Sequence, residues 1–237
     1  MRMAVAGGTG WVGKLVVARA HAAGHEVVVI SRSHGVDLMT GGGLDEALEG
    51  VDAVIDVANV ETLNRATAIT FFETTTRNLL AAEERSHVRH HVVLSIVGVD
   101  RVDSGYYAGK RRQEELALAG PIPATVLRAT QFHEFAAQMI GRIPGPVKLV
   151  PSMLSRPVAA SEVAAELVRL AEGPAQGLAT DLAGPEVLRM ASMVRRLAKG
   201  KLVLTVPAGR AMATGALLPA GDFHRGEITF DEWVAAR

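Results

Sequence analysis

Apolar positions change their period along this chain. Short runs rich in Val, Ile and Ala alternate with longer segments in which apolar residues recur every three or four positions. "MAVAG" reads as a first strand, and "WVGKLVVARAHAAG" as a helix ending at Gly24. "EVVVIS" is a second strand, "LDEALEG" a brief helix and "DAVIDVAN" a further strand. Consecutive Val and Ile, without polar alternation, mark strands covered on both faces. A long helix follows over roughly Leu63 to Arg85, with Ile69, Phe72 and Leu79 or Leu80 along one face. "HHVVLSIVGV" then reads as a strand, "YYAGKRRQEELALAG" as a helix and "ATVLRAT" as a strand.

Beyond Pro144 the pattern shifts. "GRIPGPVKLVPSMLSRP" is rich in proline and reads as irregular connection. "ASEVAAELVRLAEG" is an amphipathic helix with Ser161 as its expected N-cap. "MASMVRRLAKG" and "TFDEWVAAR" are further helices, the second opened by a capping box of Thr229 and Glu232. "KLVLTVP" is a late strand.

Strands alternating with helices predict right-handed crossovers and a parallel sheet. The expected fold is α/β: a Rossmann doubly wound sheet with a small, mostly helical C-terminal portion on the substrate side. Residues 1–145 would form the core and 146–237 would pack on it as one compact unit. Such sheets bind ligands beyond the carboxyl ends of their strands. That rule directs attention to the segments after "MAVAG", "EVVVIS" and "VVLSIV".

Composition narrows the chemistry. Among 237 residues, 25 Lys and Arg balance 25 Asp and Glu, so no broad basic field awaits a nucleic acid. Cysteine is absent, which removes disulfide, iron–sulfur and cysteine–zinc chemistry. No apolar run reaches the length of a bilayer, so a soluble, cytoplasmic protein without membrane contact is expected. "HVRHH", with His87, His90 and His91, precedes a strand at the foot of the sheet; no carboxylate pattern completes a ligand set, so no metal is expected.

"AVAGGTGWVGKLVV" sets Gly7, Gly10 and Gly13 between the first strand and the first helix. Glycines there permit a tight turn and close approach of a pyrophosphate, while the helix start offers N–H groups and a positive dipole end. The intervening Thr9, Trp11 and Val12 belong to the same dinucleotide-binding loop. At the end of the second strand stand Ser31, Arg32 and Ser33, with no carboxylate to take the ribose hydroxyls that favour NAD. A guanidinium suits the extra 2′-phosphate, so NADP is expected, with NAD possible. Asp37 and Leu38 are placed where a third strand would end beside the adenine. Val57, Ala58 and Asn59 are read as ending the fourth strand on the same side, as further cofactor-wall positions.

The only two tyrosines, Tyr106 and Tyr107, open a predicted helix, and Lys110 follows Tyr106 by four residues. The glycine loop, the alternating pattern and "YYAGK" together resemble the short-chain dehydrogenase/reductase superfamily, in particular its atypical NmrA-like branch. The resemblance runs through "VLRATQFHEF" and "RPVAASEVA" and weakens after them. It implies an active site of a serine in the fifth-strand region, a tyrosine and a lysine: here Ser95, Tyr106 and Lys110. A lysine one helical turn from a tyrosine would lower the phenol's pKa and could also hold the nicotinamide ribose. Ser95 would hydrogen-bond the substrate oxygen. The resemblance also places Ala129, Thr130, Gln131 and Phe132 along the nicotinamide pocket, although many extended relatives carry proline where this chain has Ala129.

The sequence thus points to an NADP-dependent oxidoreductase acting on a small carbonyl, enone or quinone-like substrate, as a monomer or homodimer. A dinucleotide-binding regulatory or redox-sensor protein without turnover remains the alternative. A sugar-nucleotide epimerase or dehydratase ranks third, because the C-terminal portion carries few basic or aromatic groups to hold a second nucleotide.

Overall fold

The computed structural model describes residues 1–102, 104–142, 145–198 and 200–237. Asp103 at the head of the tyrosine stretch, Ile143 and Pro144 of the expected connection, and Lys199 in the "MASMVRRLAKG" segment lie outside the described residues. In chain order the elements begin β1 (Arg2–Ala6), α1 (Trp11–Ala22), β2 (Glu26–Ile30), α2 (Leu44–Leu48) and β3 (Ala53–Asp56). Then come α3 (Arg65–Arg85), β4 (His90–Ile96), α4 (Gly105–Ala119), β5 (Ala124–Ala129), α5 (His133–Arg142), β6 (Val147–Pro151) and β7 (Leu154–Ser155). The rest are α6 (Ala160–Glu172), β8 (Gly177–Leu178), β9 (Asp181–Ala183), β10 (Leu188–Arg189), α7 (Met190–Leu197), β11 (Leu202–Val206), α8 (Arg210–Ala213), β12 (Phe223–Arg225) and α9 (Phe230–Ala235).

The expected α/β Rossmann fold is present, and the chain divides into two compact units. One comprises Met1–Ser95, Asp103–Leu127 and Ala164–Ala179; the other comprises Ile96–Val102, Arg128–Val163 and Thr180–Arg237. In the first, β1 pairs in parallel with β2 and β3, β3 pairs in parallel with β4, and β8 adds in parallel to β5. The strand order is β2-β1-β3-β4-β5. From the central β1 the chain goes outward to β2, then crosses to β3 on the other side. The loops leaving β1 and β3 part at that reversal, which is where such sheets bind ligands.

The uninterrupted apolar strands find cover as expected. Leu44 and Leu48 of α2, with Leu79 and Ala82 of α3, close over Ala4, Ala6 and Val54. Val93 and Val126 meet Ala117 of α4. A fully buried Leu or Val of this kind contributes about 1.5–3 kcal/mol. Asn64 caps α3 by accepting from the Thr67 N–H at 3.0 Å, which sets where the helix begins.

In the second unit β6 and β11 pair in parallel, with Val147 opposite Leu202, and β7 pairs antiparallel with β10. β9 pairs in parallel with β12 and sets Leu182 opposite Ala129. The capping box is present: the Thr229 hydroxyl accepts from the Glu232 N–H at 3.2 Å, and Glu232 Oε2 accepts from the Thr229 N–H at 2.8 Å.

Several local readings are corrected. Val147–Pro151 and Leu154–Ser155 are strands inside the stretch read as connection, because their partners lie far along the chain. Ser161 is inside α6; Glu162 reaches back to the Ala159 N–H at 3.3 Å, the bond a third helical residue makes to its cap, so Ala159 holds the cap position. Asp37 and Leu38 end no strand. They lie in a turn where Asp37 bridges to Gly42, and the strand ending before Val57 is the third, not the fourth. Ser95 accordingly stands on the fourth strand.

Candidate functional site

The glycine loop is held from behind by backbone. Gly7 has φ +79°, a region open to glycine, and its N–H donates to the Ile30 carbonyl at 3.0 Å. A Cβ on Gly7 would stand 2.9 Å from Ala58 Cα, so the loop lies directly on the turn that follows β3. A Cβ on Gly13 would strike the Gly7 carbonyl, which explains the glycine in the first turn of α1. Gly10 is the N-cap and makes no side-chain cap hydrogen bond to the helix. Thr9, Gly10 and Trp11 are exposed and Val12 is half-buried. The loop therefore keeps the two properties a pyrophosphate requires: close backbone approach and a helix start without a competing side chain.

At the end of β2, Arg32 is exposed in a short 3-10 turn. Around it the Ser31 hydroxyl lies 3.0 Å from that of Ser33 and 2.8 Å from His34 Nδ1. The Asp37 carboxylate is occupied locally, accepting from the Met39 N–H at 2.9 Å, while the Leu38 carbonyl accepts from Asn78 Nδ2 at 2.9 Å. Val57 and Ala58 are buried and Asn59 is exposed.

Tyr106 is half-buried in the first turn of α4. Its hydroxyl donates to Asn59 Oδ1 at 2.7 Å, and its ring meets Phe72 and Tyr107 edge-on, with centroids 5.8 and 6.0 Å away. Burial, then Tyr107 and Glu61, pushes its pKa above the ordinary tyrosine value. The direction is opposite to that expected from a lysine one turn away, because loss of solvent outweighs any such help. Lys110 is buried; its Nζ donates to the Leu94 carbonyl at 2.6 Å and to Gln113 Oε1, and lies 4.7 Å from the Phe72 ring centre. Burial pushes Lys110 down to about 8, against the carboxylates of Asp56 and Glu114. Ser95 is buried, and its Oγ has no hydrogen-bond partner among the described residues. Strand alternation sets it on the face of Val93, which packs on α4.

Gly7, Ala58, Asn59 and Tyr106 therefore form one continuous line of contact in the first unit. Two members of the site escaped sequence reasoning. Asp56 and Gln113 are buried and joined, Gln113 Nε2 donating to Asp56 Oδ2 at 2.7 Å. The available signal was a carboxylate inside the apolar strand "AVID". In the second unit Ala129 is buried, and the Thr130 hydroxyl donates to the Arg156 carbonyl at 2.5 Å. Gln131 Oε1 accepts from Ser155 Oγ at 2.8 Å, and Phe132 bridges to Val158. His133, buried, lies 3.0 Å from the Ile228 carbonyl through Nε2.

A family model described as NAD(P)H-binding matches residues 7–174. The chain belongs to this NAD(P)H-binding family. No curated protein matches it in sequence. Among solved structures, a dTDP-glucose 4,6-dehydratase from Streptomyces venezuelae with NAD and TYD bound is similar at a TM-score of 0.80 and 19% identity, over 100% of this chain and 95% of that one. An NADPH-dependent quinone oxidoreductase from Escherichia coli complexed with NADPH gives 0.75 and 18%, over 99% of both chains. A short-chain dehydrogenase/reductase superfamily protein from Agrobacterium tumefaciens with bound NAD gives 0.72 and 19%, over 100% and 95%. At such identities the likeness is one of fold, and it agrees with the superfamily resemblance read from the sequence. Among the described residues of this NAD(P)H-binding chain, no helix is long and apolar enough to cross a membrane.

Proposed function

We propose that this protein is an NADP-dependent oxidoreductase that reduces a small carbonyl, enone or quinone-like compound. The observation that carries the reading is the line of contact from Gly7 through Ala58 and Asn59 to Tyr106, which links the dinucleotide loop to an acid of the required type. The uncapped start of α1 and the close backbone at Gly7 fit a pyrophosphate. Exposed Arg32, flanked by Ser31 and Ser33, fits a 2′-phosphate.

A bound nicotinamide would supply the hydride. Tyr106 would give its proton to the substrate oxygen, and solvent would later restore that proton. The phenol is protonated at neutral pH and so can donate in the reductive direction, although its raised pKa makes it a weaker acid than a free tyrosine. The Lys110 charge would stabilise the phenolate left behind, and Ser95 would donate to the same substrate oxygen. The similarity to the Escherichia coli quinone oxidoreductase over 99% of both chains lends support to the quinone-like class.

A second reading, a dinucleotide-binding regulatory protein without turnover, draws on Lys110. Its ammonium is engaged by Leu94 and Gln113. One experiment separates the two: NADPH oxidation followed across a panel of quinones, enones and aldehydes. Turnover that Tyr106→Phe lowers by about 10²–10⁴-fold at unchanged NADPH affinity supports the reductase. NADPH binding with no member of the panel reduced supports the regulatory protein.

A further inference from the structure

Asp56 ends a strand whose four residues are all buried, and is itself 1% exposed. A carboxylate in such a place is strongly disfavoured unless its oxygens are hydrogen-bonded. Both are. Oδ1 accepts from the Ala58 N–H at 2.9 Å, and Oδ2 accepts from Gln113 Nε2 at 2.7 Å. The Gln113 carbonyl oxygen in turn accepts from the Lys110 ammonium.

The chemistry of the two ends fixes the amide between them. A carboxylate only accepts and an ammonium only donates, so the NH2 must face Asp56 and the oxygen must face Lys110. The amide dipole then lies along the line from negative to positive charge, and each bond strengthens the next. The second Lys110 bond ends on the Leu94 carbonyl, one residue before Ser95. At the other end, Ala58 belongs to the turn that backs Gly7 and precedes Asn59, the partner of Tyr106.

We infer that Asp56 and Gln113 are positioning residues: the Asp56 carboxylate is the counter-ion of Lys110, relayed through the Gln113 amide. The link holds the ammonium against β4 beside Ser95 and fixes the turn that carries Asn59. As active-site positioning it rests on the oxidoreductase reading; as a charge link it stands on the geometry alone. The groups acting on Lys110 are Asp56 and Gln113 through this relay, Glu114 on its own helix, the Leu94 carbonyl from β4 and the Phe72 ring from α3. The carboxylates favour the ammonium and burial opposes it. Asp56 also acts on the buried Glu83 and His91, so overall stability would be an ambiguous readout and the Lys110 titration a direct one.

Lysine labelled with 13C and 15N at the ε position gives that titration by NMR. The sequence contains only Lys14, Lys110, Lys148, Lys199 and Lys201, and Lys110→Arg assigns the signal. Asp56→Asn is expected to lower the Lys110 midpoint by about one unit. Gln113→Met and Gln113→Leu break the relay without adding charge, and each is expected to lower it. An unmoved midpoint in folded Asp56→Asn overturns the inference; should that variant not fold, an unmoved midpoint in both Gln113 variants does so. If the midpoint moves as expected while wild-type protein oxidises no NADPH with any acceptor, the charge link stands and the oxidoreductase reading falls. If NADPH is oxidised and the midpoint does not move, only the link falls.

Discussion

The Tyr106 hydroxyl donates to Asn59 Oδ1 at 2.7 Å, so the turn after β3 holds the proton of the side chain that opens α4. The bond requires the neutral phenol, and burial acts in the same direction. One contact thereby joins the segment behind the glycine loop to the proposed acid.

This predicts a split tyrosine titration. In a pH titration of tyrosinate absorbance, one of the two tyrosines should ionise well above ~10, and Tyr106→Phe should remove that late phase. The stability consequence has a definite sign. Tyr106 holds its proton more tightly folded than unfolded, so its contribution is complete below about pH 10 and is lost as pH rises through the raised folded value. Tyr106→Phe should lose less stability than wild type on going from neutral to strongly alkaline buffer. Coincident ionisation of both tyrosines near ~10 would end this account.

Cofactor choice is carried by a different residue. Arg32 is exposed beside the Ser31–Ser33–His34 hydroxyl and imidazole cluster. A bidentate guanidinium–phosphate contact is charge-assisted, worth roughly 1.5–3 kcal/mol. Arg32→Ala should therefore weaken NADPH about tenfold or more while leaving NADH within about twofold, read as dissociation constants by fluorescence titration. Equal losses for both dinucleotides would show that Arg32 does not read the 2′-phosphate.

These two sites differ in how openly the sequence displays them. Gly7, Gly10 and Gly13 were legible because their constraint is local: a strand, a turn and a helix start within a few residues. The spacing of Tyr106 and Lys110 was equally visible, but not where the lysine points, since the Leu94 carbonyl that holds it comes from another strand. Asp56 acquires its meaning only from Gln113, 57 residues away, and a lone carboxylate in "AVID" has no local signature. β6 was missed for the same reason. Its alternation of exposed and buried residues is plain once β11 lies beside it, but prolines dominate its own neighbourhood.

The "HVRHH" stretch shows the same limit, and yields a prediction about stability. His91 Nδ1 lies 2.8 Å from Glu83 Oε1 and 3.1 Å from Oε2, and both side chains are fully buried. Burial pushes the imidazole down, but the Glu83 carboxylate, together with Asp56, more than reverses this and leaves its pKa raised. Burial pushes the Glu83 carboxyl up, with His91 opposing. Each group thus tolerates its site because of the other. Glu83→Met, which strands the imidazole, should cost about 3–5 kcal/mol in urea unfolding, as should His91→Leu. The double variant, apolar at both positions, should cost less than the sum of the two, by a coupling of about 1–3 kcal/mol in the cycle. Single losses below about 1 kcal/mol, or strictly additive ones, would mean that the pair is two independent packing residues rather than one electrostatic unit.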